Sequence, residues 1–154
     1  MLRVAIKQAL VLLLLAGGAA VATHFFHPLA PAWYAVNEPP AEDEVTLQRV
    51  REEWAGEVMW LDARPTDQYE AGHIPGARLL NEQGFDNQLF ELLDQLQTSD
   101  RPVVLYCGGE SCQASRKIRQ HLVETFPLEN VWVLKGGWKA WQAAGGEIQV
   151  GGEP

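Results

Sequence analysis

Val103-Val104-Leu105-Tyr106-Cys107-Gly108-Gly109-Glu110-Ser111-Cys112-Gln113 is the stretch from which the fold is read. Its first four residues are apolar or aromatic without a polar break, the pattern of a strand buried on both faces. A Gly-Gly pair follows, and a helix is expected from Gln113 to Glu124, with Ile118 and Leu122 on one face. Working outward, the same short apolar run occurs upstream at Val58-Met59-Trp60-Leu61 and downstream at Val131-Trp132-Val133-Leu134. Helical segments lie between them. Thr46 is placed to cap a helix running to about Trp54, and Thr66 to Ala71 reads as a short helix stopped by Gly72. Phe85, Leu89, Leu92, Leu93 and Leu96 fall at helical spacing, and Trp138 to Ala144 reads as a last helix closed by Gly145-Gly146. Continuously apolar strands separated by helices imply an α/β fold: a central parallel sheet with helices on both faces.

In such sheets ligands sit beyond the carboxyl ends of the strands. Two places qualify, Asp62-Ala63-Arg64 after the first run and Cys107 to Cys112 after the second. Gly108 and Gly109 permit a tight turn with inward-pointing N–H groups, and the following helix adds its positive end. The same donors that bind an anion stabilise a thiolate, lower its pKa and raise the nucleophile present at neutral pH. Cys107 is therefore the expected nucleophile, and Gly108, Gly109, Glu110, Ser111, Cys112 and Gln113 its substrate-binding loop. The competing reading is a buried structural cysteine.

The chain has 154 residues, a formal charge of −8 and an apolar fraction of 47%. That bounds it to one domain plus a tail and argues against a nucleic-acid partner, since nothing would neutralise phosphates. Its two cysteines, Cys107 and Cys112, exclude a disulfide framework for the whole fold. They have no metal-ligand spacing, so neither a metal nor a cofactor is expected. Either they pair with each other or at least one is a working thiol. His24, His27 and His121 match no ligand or triad pattern. The six tryptophans read as core and interface packing.

Arg3 and Lys7 precede an uncharged apolar run from Ala9 to Ala22. Residues 1–27 therefore read as a signal peptide, ending in the small residues Ala20-Val21-Ala22, or as a membrane anchor. The run is short against the roughly 20 residues of a span. It lengthens if Lys7 snorkels and Phe25, Phe26 and Leu29 are included, with Trp33 and Tyr34 at the interface. Either way the positive charges on its N-terminal side put the folded part outside the cytoplasm, on the periplasmic side. Residues 28–43 carry Pro28, Pro31, Pro39 and Pro40 and read as a linker. The domain is expected over 44–154.

Leu61-Asp62-Ala63-Arg64, Tyr69-Glu70-Ala71-Gly72-His73-Ile74-Pro75-Gly76-Ala77, Val104-Leu105-Tyr106-Cys107 and Leu134-Lys135-Gly136-Gly137-Trp138-Lys139-Ala140-Trp141 occur in this order. Together they resemble a rhodanese domain across nearly all of the folded part. The resemblance implies a rhodanese-like fold and a sulfurtransferase. Cys107 would take sulfane sulfur from a small donor, thiosulfate or a persulfide, hold it as a persulfide, and pass it to a thiol acceptor. Asp62 and Arg64 would support the loop through hydrogen bonds, and His73 would satisfy backbone in the turn.

The loop departs from the family. A typical single-domain rhodanese has an Arg five residues after the cysteine and a Ser after that; here those positions hold Cys112 and Gln113. Glu110 places a carboxylate in the loop, which would repel a dianionic donor. The related Cys-x5-Arg phosphatases need an Arg where Gln113 stands, so phosphoryl transfer is disfavoured. Arg116 reads as a solvated helix residue, with the loop mouth as its alternative direction. Two other functions stay open: a thiol–disulfide module using Cys107 and Cys112, and a non-catalytic rhodanese-like binding domain.

Overall fold

A computed structural model describes Gln8, residues 39–109, 113–126, 128 and 130–151. Apart from Gln8, which is helical, the expected leader and the linker up to residue 38 lie outside the described residues. Among the described residues no helix is long and apolar enough to cross a membrane. Pro40–Pro154 form one compact unit; of the other, Met1–Pro39, only Gln8 and Pro39 are described.

In chain order the elements are β1 (Glu44–Val45), α1 (Leu47–Glu53), β2 (Met59–Asp62), α2 (Thr66–Ala71), β3 (Arg78–Leu79), α3 (Phe85–Thr98), β4 (Val103–Tyr106), α4 (Gln113–Thr125), β5 (Val131–Leu134) and α5 (Gly137–Ala143). The strands form one sheet in the order β1-β5-β4-β2-β3, and every pairing is parallel. The expected parallel sheet with helices on both faces is what forms. β4 is its central strand, flanked by β2 and β5, which is why Val103–Tyr106 carries no polar residue.

Side chains alternate across the sheet as strand geometry requires. Met59, Leu61, Val103 and Leu105 face one way and pack with Leu92 and Leu96 of α3 and Ile118 and Leu122 of α4. Trp60, Val104 and Tyr106 face the other way, with Leu47 and Val50 of α1 and the half-buried Trp138 and Trp141 of α5. Cys107 continues the first face: it is buried and belongs to the α3–α4 core.

The helices sit close to their expected limits. Thr46 caps α1, its hydroxyl accepting from Arg49 N at 3.2 Å. β2 begins at Met59, one residue later than expected, because Val58 N is turned to Gly56 O at 2.9 Å. It extends to Asp62, which is in register with Tyr106. α5 starts one residue earlier than expected, because Gly136 adopts the left-handed conformation at its N-cap, with φ of 75°.

Candidate active site

Cys107 leaves the carboxyl end of the central strand and is fixed by its neighbours on both sides. Trp138 N donates to Cys107 O at 2.7 Å. This brings the start of α5 onto the cysteine backbone so closely that a Cβ on Gly137 would lie 2.3 Å from Cys107 O. Only glycine fits there, and its φ of 52° is also one that other residues resist. The cysteine is 3% exposed. Its Sγ lies 3.6 Å from Gly109 O, and the Ser115 hydroxyl, fully buried on the first turn of α4, donates to it at 3.5 Å.

Cys107 is disulfide-bonded, and there is no free cysteine among the described residues. The chain's other cysteine is Cys112. Glu110, Ser111 and Cys112, all expected in the loop, lie outside the described residues. Gly108 and Gly109 are half-buried and have no positive φ, and Gln113 is exposed at the start of α4.

Asp62 and Arg64 form a buried ion pair with both groups satisfied. Arg64 Nη2 donates to Asp62 Oδ2 at 2.6 Å and to Gly72 O at 2.7 Å, and Arg64 Nε donates to Asp62 Oδ1 at 3.0 Å. The guanidinium lies over the Trp138 ring, 4.3 Å from its centroid, and also over Tyr106. Among the described residues the pair makes no hydrogen bond to the loop. It reaches Cys107 through Trp138, the residue whose N–H holds the cysteine carbonyl. Burial, followed by the negative charge of Asp62, pushes the Tyr106 hydroxyl pKa well above its ordinary value. That hydroxyl stays protonated and accepts from Ile74 N at 3.1 Å.

His73 is fully buried and stacked 3.9 Å from the Tyr69 ring, and its Nδ1–H donates to Tyr69 O at 2.9 Å. That is the backbone role expected of it. Arg116 points away from the loop, toward β1, and pairs with Asp43 and Glu44. His121 lines a groove of about 220 Å³ with Glu82, Phe85, Lys117 and Ile118.

Ser115, Gly137 and Trp138 were not among the expected site residues, yet each of them touches Cys107. The serine was sought at position 113. The structure places a serine hydroxyl on the sulfur two residues further on, and the position before it is Ala114. Lys139, also unexpected, lies against Gly109: a Cβ built there would meet its Cδ at 3.6 Å.

Residues 46–144 match the profile of the family described as rhodanese-like domain. The thiosulfate sulfurtransferase GlpE of Pseudoalteromonas translucida is 33% identical over 89 residues, covering 57% of this chain and 76% of that protein. An HTH-type transcriptional regulator of Mycobacterium tuberculosis, Rv0324, is 42% identical over 74 residues, but these span only 30% of its length. Among solved structures, a rhodanese-like domain from an Anabaena protein superposes with a TM-score of 0.55 at 26% identity, covering 71% of this chain and 80% of that one. A thiosulfate sulfurtransferase from Pseudomonas aeruginosa gives 0.57 at 28% identity, covering 74% of this chain and 20% of that one.

Proposed function

The chain belongs to the rhodanese-like domain family, and we propose that it is a sulfurtransferase working outside the cytoplasm through a persulfide on Cys107. The observation that carries this reading is the buried Ser115 hydroxyl on Cys107 Sγ, at the carboxyl end of the central strand. A donor aimed at a sulfur stabilises its anionic forms, thiolate and persulfide, more than its neutral ones. The thiosulfate sulfurtransferase named among the relatives points to the donor class. In the first step the Cys107 thiolate attacks the outer sulfur of thiosulfate. The donor's S–S bond breaks and sulfite leaves with the bonding electron pair. In the second, an acceptor thiolate takes the outer sulfur and Cys107 is restored as a thiolate.

The extracytoplasmic location rests on Arg3 and Lys7 lying on the N-terminal side of the apolar run. A second reading, thiol–disulfide exchange between Cys107 and Cys112, is favoured by the disulfide-bonded state of Cys107. The two readings share a first requirement. A dithiol must supply two electrons and two protons to open the bridge before the thiolate can act.

Intact mass separates them. The full chain, reduced and freed of reductant, is treated with thiosulfate. One added sulfur, absent in Cys107→Ser, together with released sulfite, is the expected result. No added sulfur, with only the loss of two hydrogens as the bridge re-forms, would replace the transferase with the redox module.

A further inference from the structure

The loop that should receive an anionic sulfur donor has no cation of its own, since residues 107–113 read Cys-Gly-Gly-Glu-Ser-Cys-Gln. Nearby positive groups are engaged elsewhere. Arg64 is bound to Asp62, Arg116 to Asp43 and Glu44, and Lys117 to Glu82. Lys139 differs. It is exposed, and it forms no ion pair among the described residues.

Its position is set by backbone. Gly137 is pressed onto the Cys107 carbonyl and Trp138 N is bonded to it at 2.7 Å, so the first turn of α5 cannot slide relative to the cysteine. Lys139 is the next residue. Its stem runs along Gly109, where a Cβ would lie 3.6 Å from its Cδ, 3.7 Å from its Cε and 3.9 Å from its Nζ. Gly109 O is in turn 3.6 Å from Cys107 Sγ. The ammonium and the sulfur thus flank the same glycine.

We infer that Lys139 is the donor-binding cation of this site, contributed by α5 in place of the arginine that the loop lacks. It holds the oxyanion end of a thiosulfate-type donor while the outer sulfur meets Cys107. As the S–S bond breaks, the charge gathering on the departing sulfite stays beside the ammonium. The inference deepens the sulfurtransferase reading and rests on it for the identity of the donor.

The test uses the full chain in detergent. Thiosulfate binding is read by tryptophan fluorescence in a Cys107→Ser, Cys112→Ser background, which can neither react nor bridge; Trp138 is the reporter. Adding Lys139→Gln should weaken binding about ten-fold, the usual scale for losing one charge-assisted contact. Lys139→Arg should restore most of it, and salt should weaken binding only while the cation is present. With both cysteines intact and reduced, Lys139→Gln should lower kcat/KM for thiosulfate through KM, while Lys117→Gln, whose ammonium is paired with Glu82, leaves it unchanged. Equal binding with and without the lysine, or no saturable binding at all, overturns the inference. Lysine-dependent binding without sulfite release would keep the lysine as an anion site and overturn the transferase reading instead.

Discussion

Ser115 donates to the Cys107 sulfur from a fully buried position, and it sits where no hydroxyl was expected. Ser115→Ala should raise the pKa of the reduced Cys107 thiol, because the thiolate loses a donor that the thiol needs less. A net loss of about 1–2 kcal/mol of charge-assisted bonding corresponds to roughly a ten-fold fall in sulfur transfer. The pH profile of alkylation of the reduced protein checks this, and an unshifted midpoint would leave Ser115 as packing. At this scale the sequence was only partly legible. Cys107 stood out because a strand end, two glycines and a helix start are local patterns. Asp62 and Arg64 stood out because they lie at and just beyond the end of an apolar run. Ser115 did not, because the face of α4 that meets the sulfur is set by how the helix packs on the sheet. Trp138 and Lys139 did not, because their contact with the loop comes from tertiary packing of α5, some thirty residues downstream.

The elements themselves were legible wherever burial imposes a period. β4 and β5 run from Val103 to Tyr106 and from Val131 to Leu134 as the apolar runs indicated, and α2 ends at Ala71 before Gly72. β1 and β3 were not seen, because each has only two residues and one of them is polar, Glu44 in the first and Arg78 in the second. Two residues cannot display alternation; these strands exist because a neighbouring strand offers a ladder. The element that matters most to the site is α5, and its docking can be tested through glycine. At Gly76, φ is 75° and an added Cβ would meet nothing within 4 Å. Gly76→Ala should therefore cost only the backbone strain, about 1 kcal/mol. At Gly137, φ is 52° and the same Cβ would overlap the Cys107 carbonyl at 2.3 Å. Gly137→Ala should add to that strain a forced separation of α5 from β4. The loss should then be at least about 2 kcal/mol, with sulfur transfer falling in parallel. Denaturant titration of the two variants checks the order. Equal losses would mean that α5 can move away from the cysteine at little cost.

At the scale of the whole molecule, the proposed extracytoplasmic location of the Cys107 site rests on charge and on redox chemistry. Arg3 and Lys7 lie before the apolar run, and the next positive residue after it is Arg49. On the proposed topology that asymmetry would retain the basic end in the cytoplasm and send the remainder across. The folded part brings no opposing electrostatic demand, because a chain with a formal charge of −8 has little attraction for anionic lipid. The disulfide-bonded state of Cys107 fits the same side, since a bridge persists in oxidising compartments and is reduced in the cytoplasm. Protease added to cells whose outer envelope has been opened should therefore digest the domain while a cytoplasmic marker survives. Acid quenching followed by alkylation should recover Cys107 oxidised from the same cells. Deleting the run from Ala9 to Ala22 should reverse both results: a protected domain, and a reduced cysteine that accepts sulfur without prior reductant. A domain that is protected and reduced with the run intact would place sulfur transfer in the cytoplasm, leaving the bridge no role in a resting enzyme.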